Sequence, residues 1–379
     1  MKQYGKRVWI VTVLVTMLYL VTMLLVRSGS PSASQRVMYE QWRSDYIMQE
    51  SDRRAYVNTS NDRKNPIALS EGQGYGMYLT AAAGAKGWAR QQDFDDLLNY
   101  YLQYRADASD GSASETYLMQ WRQHSKGGAW ISEDSSATDG DLYIAYSLLQ
   151  ASKVWPGRSA YYLKIEGRLA ADILTYEYND TTHTLTVGDW ATKQSKYYNL
   201  MRTSDVMPSF FAALYESTHD QRWLTVSDSM LDRLVDLSDE HKTGLVPDFA
   251  WVTASGATAV QANAIASQQD GDYSSNACRV PMMLALSDDS RAKQVVAGLL
   301  KFFNGRSAVT AGYSLAGKQL NDYQLNSFTA PLAYAAKQDR RHRYDRLLND
   351  WQKLLVEPLQ ADKYYDATLT VMAVMGKVD

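Results

Sequence analysis

The feature that most constrains the fold is a succession of helix-length segments with apolar residues spaced three and four positions apart. In residues 93–104, apolar side chains at Phe94, Leu97, Leu98 and Tyr101 recur at i, i+3, i+4 and i+7, which is typical of a helix with one buried face. Loops rich in Gly, Asp, Ser and Asn separate the segments. The segments predicted as helices are 36–55, 75–86, 93–104, 139–153, 160–176, 206–218, 221–236, 278–287, 291–304, 326–336, 340–355 and 363–375.

These helices follow one another in pairs and predict an all-α single domain, an (α/α)6 barrel, over residues 36–379. The apolar content of 45% is ample for its core. Around residues 183–190, polar and apolar residues alternate at His183, Leu185 and Val187, which predicts a short hairpin. In such a barrel the inner helices bring their N-terminal ends to one face, so residues that precede those helices are expected to meet there.

The first candidate for chemistry is Glu71, in the sequence SEGQGYGM of residues 70–77. Three glycines, Gly72, Gly74 and Gly76, predict a tightly bent loop that something large can approach closely. A general acid must be protonated at working pH, so its pKa must be raised by burial or by neighbouring carboxylates. Spacing alone is equally compatible with a helix-capping role for Glu71.

The second candidate is the pair Asp139 and Asp141, separated by one glycine at the start of an apolar helical run. Free backbone N–H groups in a first helical turn favour an ionised carboxylate, as expected for Asp139. Asp141 is predicted to be structural, through hydrogen bonds to its own backbone. Separated carboxylates in a chain with ten Trp and 27 Tyr indicate acid/base chemistry on a carbohydrate.

Several segments resemble glycoside hydrolase family 8 in chain order. SEGQGYGM and ATDGDLYIAYSLLQASKVW are similar to its two signature segments, and PSFF (208–211), GLVPD (244–248) and YSSNACRVP (273–281) are similar to further family motifs. The resemblance spans roughly residues 35–355. It implies an (α/α)6 barrel that hydrolyses a β-linked polysaccharide with inversion. It also implies that Glu71 is the proton donor and that Asp139 lies at the centre of the active site.

Asn276 departs from the best-known branch of this family, which has an aspartate here as the general base. An amide cannot accept a proton in this way, so another carboxylate is required for catalysis. The candidates are Asp205, Asp270 and Asp272, and Asp205 is favoured because it adjoins the PSFF segment. If no base is present, the alternative function is a non-catalytic glycan-binding barrel.

Other residues are candidates for substrate binding. Arg279 presents a rigid fork of donors that would orient a carboxylate or contact sugar hydroxyls, and its alternative role is a buried ion pair. Asn276 is also placed among the substrate-binding residues. Four aromatic residues in loops near the matched segments are candidates for stacking on a sugar ring, and packing in the core is their alternative role. They are Trp130, Tyr197, Tyr198 and Tyr273.

The sequence gives no sign of a metal or nucleotide cofactor. The five His residues do not have metal-ligand spacing with Cys or with each other, and no Gly-Lys-Ser/Thr follows the glycine-rich segments. A formal net charge of −3 argues against a nucleic-acid partner. The single cysteine, Cys278, excludes an internal disulfide without settling the compartment.

Residues 8–26 form an uncharged apolar run long enough to cross a bilayer as a helix. Basic residues precede the run, which predicts a cytoplasmic segment at 1–7, a linker at 27–35 and the barrel outside the cell membrane. A cleaved signal peptide and secretion are the alternative. A tether suggests that the substrate is the cell's own polysaccharide, with an exopolysaccharide synthase complex as a partner. The predicted protein is thus a membrane-tethered, extracytoplasmic endo-glycosidase.

Overall fold

Twelve α-helices are found within the residues that the computed structural model describes, which are 16–17, 31–112, 114–127 and 129–376. In chain order they are α1 (Pro31–Tyr46), α2 (Ser70–Ala85), α3 (Gln91–Gln103), α4 (Thr138–Val154), α5 (Ser159–Tyr176), α6 (Pro208–Thr218), α7 (Arg222–Glu240), α8 (Val280–Leu284), α9 (Ser290–Asn304), α10 (Asn326–Gln338), α11 (Asp345–Leu354) and α12 (Tyr364–Met375).

The even-numbered helices form an inner ring. Each of them contacts the next, and α12 contacts α2, which closes the ring. The odd-numbered helices lie outside, and each contacts the inner helix that precedes it, with α1 against α12. In α4 every residue from Thr138 to Ser152 is buried, as expected for a helix surrounded by protein. This arrangement confirms the predicted (α/α)6 barrel.

The connections between helices are not all helical, and here the all-α prediction was incomplete. The strands are β1 (Ile47–Ser51), β2 (Arg54–Val57), β3 (Ile67–Leu69), β4 (Arg105–Asp107), β5 (Glu115–Lys126), β6 (Ala129–Ser136), β7 (Tyr178–Asn179), β8 (Thr184–Leu185), β9 (Leu200–Arg202), β10 (Phe249–Thr253) and β11 (Gly256–Ala259). In the described part of the chain, each strand lies between an outer helix and the next inner helix. The strands therefore collect on the face where the inner helices begin.

Two sheets dominate this face. In one, β5 pairs with β3, β4 and β6, and in the other β10 lies between β9 and β11. The backbone N–H and C=O groups of these long connections need hydrogen-bond partners. Pairing between strands provides such partners where the connection is not helical. The hairpin predicted at 183–190 lies earlier, as the antiparallel pair β7–β8.

The predicted helix 36–55 was wrong in its second half. Helix α1 ends at Tyr46, and β1 and β2 form an antiparallel hairpin in which Ile47 pairs with Val57. In β2 the buried residues Ala55 and Val57 alternate with partly exposed ones, which is the pattern of a strand.

The predicted loop at Glu71 was also wrong, because α2 begins at Ser70. Its glycines allow close packing rather than a bend. A Cβ added at Gly74 would lie 2.6 Å from Tyr143 Cβ on α4, and one at Gly76 would lie 2.4 Å from Val57 Cγ2 on β2. The glycine-rich sequence therefore brings α2 against its neighbours in the barrel.

The predicted membrane span, residues 8–26, lies outside the described residues except for positions 16–17. Among the helices that are described, none is both long enough and apolar enough to cross a membrane.

Candidate active site

Glu71 lies in the first turn of α2, on the face where the strands collect. Its Oε1 accepts hydrogen bonds from the Tyr75 hydroxyl at 2.8 Å and from Arg279 Nη1. Its side chain remains 20% exposed and is therefore accessible from outside. Burial raises the pKa of Glu71 above its ordinary value and Asp139 adds to this, although Arg279 opposes both. A carboxyl that tends to keep its proton is suited to act as an acid.

Asp139 lies in the first turn of the neighbouring inner helix, α4. Its Oδ2 is 2.8 Å from Arg202 Nη1 and 3.3 Å from Arg279 Nη1, and its Oδ1 accepts the Gly140 N–H at 3.0 Å. Burial alone would raise the pKa of Asp139, but Arg202 and Arg279 outweigh it and hold the pKa below its ordinary value. Asp139 is therefore ionised at neutral pH.

Gly140 explains why the starts of α2 and α4 can approach each other. A Cβ at this position would lie 2.6 Å from the Ser70 carbonyl carbon, a distance that side chains do not tolerate. The one-residue spacer between Asp139 and Asp141 thus seats α4 directly against the residue that precedes Glu71.

Asp205 is the only one of the three candidate bases that joins this group in the described part of the chain. It ends the short 3-10 helix Thr203–Asp205, is almost fully buried, and places Oδ2 3.4 Å from Arg202 Nη1. Its Oδ1 has no hydrogen-bond partner among the described residues. Burial raises the pKa of Asp205 to about 7, against the influence of Arg202 and with that of Asp139.

Asp270 and Asp272 lie apart from Glu71 in their interactions. The Asp270 carboxylate accepts three backbone N–H groups of its own loop, from Ile265, Ala266 and Ser267 at 2.7, 3.0 and 2.9 Å. Asp272 is half-buried, and its backbone carbonyl accepts the Asp248 N–H at 2.8 Å. Neither carboxylate has a described hydrogen bond or ion pair with Glu71, Asp139 or Arg279.

Two arginines connect the three acids. Arg279, at the end of the 3-10 helix Ala277–Arg279, reaches Glu71 and Asp139 through Nη1 and donates through Nη2 to Ser204 Oγ at 2.8 Å. It is thus the buried ion pair that was its alternative interpretation, and it also orients carboxylates. Residues Glu71, Asp139, Asp205, Arg202 and Arg279 are called the carboxyl cluster below.

The formal charges of the carboxyl cluster limit how it can be protonated. Three carboxyl groups and two guanidinium groups are neutral together only when one carboxyl carries a proton. Asp139 is held ionised, so Glu71 and Asp205, whose pKa values are both raised, are the groups that can hold this proton. Coupled groups of this kind titrate as a unit.

Asn276 is held at both ends of its side-chain amide. Its Nδ2 donates to Asp248 Oδ2 at 3.3 Å, and its Oδ1 accepts from Arg279 Nη2 at 2.7 Å. The other oxygen of Asp248 accepts the backbone N–H groups of Ser274, Asn276 and Ala277. The amide can donate to one of these neighbours and accept from the other, whereas an ionised carboxylate at this position could only accept.

The aromatic candidates differ in their surroundings. Tyr273 is fully buried against Phe303 and Phe328 and presents no free face. Trp130, on β6, is partly buried and packs against Tyr56 with ring centroids 5.4 Å apart.

Tyr198 is partly exposed, and its hydroxyl donates to Asp180 at 2.7 Å. Tyr197 is half-buried between two tryptophans, 5.3 Å from Trp190 and 6.3 Å from Trp251 between centroids. Trp190 is 38% exposed and presents the kind of flat apolar surface on which a sugar ring stacks.

Sequence reasoning missed Arg202 and Trp190. Arg202 stands three residues before Asp205 in the sequence RTSD, and a basic residue beside a favoured acid was the available signal. Trp190 is the last residue of the segment predicted as a hairpin, in the sequence GDW, where an aromatic at the end of a turn could have been noted.

A cavity of about 580 Å³ is not part of this site. Its lining includes Leu284 and Gln338, at the C-terminal ends of α8 and α10, so it opens at the end of these helices opposite to the carboxyl cluster.

Comparison with known proteins gives a consistent result. The model of the glycosyl hydrolases family 8 matches residues 12–378. A β-glucanase of Niallia circulans is 31% identical over 323 residues, which are 82% of this chain and 76% of that protein. An endoglucanase of Bacillus sp. (strain KSM-330) is 27% identical over 347 residues, which are 86% of this chain and 72% of that protein.

Solved structures agree in fold. The apo structure of a β-1,3-1,4-glucanase from Paenibacillus sp. X4 superposes with a TM-score of 0.80 at 29% identity, over 92% of each chain. A cold-adapted family 8 xylanase gives a TM-score of 0.74 at 18% identity, over 93% of this chain and 91% of that chain, and is similar in fold.

Proposed function

The chain belongs to glycosyl hydrolases family 8 and is a glycoside hydrolase, and from that premise we propose that it cuts β-linked glucan chains internally, with inversion. Mixed-linkage β-1,3-1,4-glucan is the first substrate to test, because the similar proteins include a β-glucanase and a β-1,3-1,4-glucanase.

The observation that carries this proposal is the contrast between Glu71 and Asp139. They start neighbouring inner helices and share the Nη1 atom of Arg279, yet the pKa of Glu71 is raised and that of Asp139 is lowered. Glu71 can therefore give a proton to the glycosidic oxygen. Asp139 remains an anion that accepts hydrogen bonds from sugar hydroxyls and stabilises positive charge at the reacting carbon. Carboxyls whose environments push their pKa values apart are the usual means of assigning such roles.

Asp205 is our proposed general base. It is the candidate that shares Arg202 with Asp139, and its Oδ1 has no described donor and is therefore free to accept a hydrogen bond from water. Inversion requires a carboxylate about 6.5–9.5 Å from the acid, with a water between the base and the sugar. When Glu71 holds the single proton of the cluster, Asp205 is ionised, which is the state that catalysis needs.

A non-catalytic glycan-binding barrel is the second candidate. Asn276 favours it, since the amide stands where a proton acceptor is expected and both of its ends are engaged by Asp248 and Arg279. The intact Glu71–Asp139 arrangement favours the hydrolase, because binding alone does not need a carboxyl that keeps its proton.

We further propose that the domain works outside the cell on a membrane tether. The uncharged run at 8–26 and the basic residues before it support this placement. A tethered hydrolase is suited to the cell's own exopolysaccharide, with the synthase complex as its partner.

The test of the function is a substrate panel with the full-length chain. Mixed-linkage β-glucan, carboxymethyl cellulose, xylan and the host's exopolysaccharide are incubated with the enzyme, and new reducing ends are counted together with the loss of viscosity. An early fall in viscosity with few reducing ends is expected for endo cleavage, and proton NMR should show the α-anomer first. Oligosaccharide binding without new reducing ends on every polymer would favour the binding barrel.

A further inference from the structure

A second group of buried acids lies behind Asp139, outside the carboxyl cluster. Asp141 on α4 and Glu177, which directly follows α5, are both fully buried. Asp141 is two positions after Asp139, so its side chain leaves the helix on a different side. There its Oδ1 accepts the Met119 N–H of β5 at 2.8 Å, rather than its own backbone as predicted.

Glu177 faces a junction of two loops. Its Oε1 accepts the Ser136 hydroxyl at the end of β6, at 2.5 Å. Ser136 also donates its N–H to Asp189 Oδ1 at 2.9 Å and accepts the Asp189 N–H at 3.0 Å. The residue after Asp189 is Trp190. These bonds join Ser136, the last residue of the β5–β6 hairpin, to the loop that carries Trp190. Trp130 lies in the same hairpin, near the start of β6.

Each of the two carboxyls leaves one oxygen without a described donor, Asp141 Oδ2 and Glu177 Oε2. The two side chains interact directly with each other. A buried carboxylate oxygen without a donor is costly, and ionisation of both facing carboxyls is unfavourable because their like charges repel. One proton between them satisfies both oxygens.

Among the described residues that act most strongly on Asp141 and Glu177, none is a cation that could replace that proton. Asp189 acts on both carboxyls from the Trp190 loop, and Asp134 of β6 acts on Asp189. From α3, Tyr101 faces Asp141, and its hydroxyl is engaged by the Tyr117 carbonyl. The side chains around the pair are thus acidic or uncharged.

We propose that Asp141 and Glu177 share one proton and act as positioning residues, which fix the β5–β6 hairpin and the Trp190 loop against the start of the helix that carries Asp139. Loss of the proton places two like charges in contact, and their repulsion moves the side chains apart and distorts the junction at Ser136. The β5–β6 hairpin, which carries Trp130, and the loop that carries Trp190 are then no longer fixed to each other.

The Asp141–Glu177 pair is expected to lose its shared proton above neutral pH. Burial is the main cause that raises the pKa of Glu177, to about 8, and burial together with Glu177 raises the pKa of Asp141 well above its ordinary value. Substrate binding is therefore expected to weaken as the pH rises above neutral, whereas the chemical step depends on the separate carboxyl cluster.

The test compares wild type with Glu177→Gln. The glutamine amide donates to Asp141 and its carbonyl still accepts from Ser136, so this variant mimics the singly protonated pair at every pH. In the wild type, KM for soluble β-glucan should rise about threefold or more between about pH 7 and about pH 9. Glu177→Gln should show little rise, with the pH dependence of kcat unchanged.

The matched control is Glu166→Gln. Glu166 is a buried glutamate within α5 whose pKa is also raised, but its carboxylate accepts from the Ser217 hydroxyl on α6 and has no described hydrogen bond to either loop. This variant should keep the alkaline rise in KM. If Glu177→Gln does not fold, Asp141→Asn replaces it, because its amide donates to Glu177 while its carbonyl accepts from Met119.

The kinetic readout depends on the proposed hydrolase function, so hydrogen exchange provides an independent measurement. After correction for intrinsic rates, exchange in segments 115–127, 129–136 and 186–190 should increase at alkaline pH in wild type and in Glu166→Gln, but not in Glu177→Gln. An equal increase in Glu177→Gln, or none in wild type, would overturn the proposal even if the chain proves not to hydrolyse glucan.

Discussion

Arg202 Nη1 lies 2.8 Å from Asp139 Oδ2, and this ion pair determines how the proton of the carboxyl cluster is distributed. Because Asp139 is held as an anion, the proton belongs to Glu71 or to Asp205. The pKa values of both are raised mainly by burial. Substrate that covers Glu71 would favour its protonated form, and Asp205 would then be the anion.

Asp205→Asn should abolish turnover while leaving oligosaccharide binding nearly intact, because the lost group acts on water rather than on the sugar. The measurements are single-turnover kinetics and calorimetric titration with a mixed-linkage oligosaccharide. Asp272→Asn is the matched control and should retain most activity. If Asp272→Asn is the inactive variant and Asp205→Asn is active, Asp272 is the base and our assignment is wrong.

Asn276→Asp should not improve the enzyme, although it restores the residue expected from the best-known branch of the family. When ionised, the new carboxylate cannot donate to Asp248, whose oxygen lies 3.3 Å from the amide nitrogen that it replaces, and it meets an acid whose pKa burial has already raised to about 6. We expect lower activity and a lower melting temperature at neutral pH than in acid. A severalfold gain in kcat would show that position 276 is where this chain lacks its base.

The protein should be most stable on the acid side of neutrality. Burial raises the pKa of Glu166 to about 7, of Glu177 to about 8 and of Asp248 to about 6. Below about pH 4 such carboxyls are protonated in both the folded and the unfolded chain, and above it the unfolded chain loses its protons first. Stability should therefore fall between about pH 5 and about pH 8.

Melting temperatures across this range provide the test. Glu166→Gln should flatten part of the slope, because it removes one raised carboxyl, while Glu40→Gln should leave the slope unchanged, since Glu40 is exposed. A melting temperature that rises steadily toward pH 8 in the wild type would contradict this prediction.

Full-length protein is expected in the membrane fraction, with its barrel accessible to protease added from outside. The positive charges before the run at 8–26 set this orientation. A variant with two charged residues in the middle of that run should leave the membrane or fail to be exported. Unprocessed wild-type chain in the cytosolic fraction would refute the tether, and a shortened chain in the medium would establish cleavage instead.

The ring of helices was predictable because outer helices such as α3 carry a periodic apolar pattern and inner helices such as α4 are long buried runs. Neither signal depends on distant residues. The start of α2 was misplaced because glycine is ambiguous in sequence. Gly74 and Gly76 suggest a flexible loop until their contacts with Tyr143 and Val57 show that the missing Cβ is what the packing requires.

The site was only half predictable, for a physical reason. Glu71 and Asp139 belong to recognisable motifs, and the position of Asp139 at a helix start follows from local sequence. Arg202 and Arg279 reach them only through the closed barrel, over sequence separations that no local pattern encodes. The strands β5 and β6 were missed for the same reason, since their pairing with distant segments defines them.

The assignment of Glu71 as the proton donor is central to the proposed function, and one comparison of variants tests it directly. Initial rates of mixed-linkage β-glucan hydrolysis are measured for wild type, Glu71→Gln and the exposed-site control Glu40→Gln, each checked for a native melting transition. We predict that Glu71→Gln folds normally and loses about 10²-fold or more in kcat, because proton donation to the leaving oxygen disappears. Glu40→Gln should match wild type. Wild-type turnover in a folded Glu71→Gln would contradict the account at its centre.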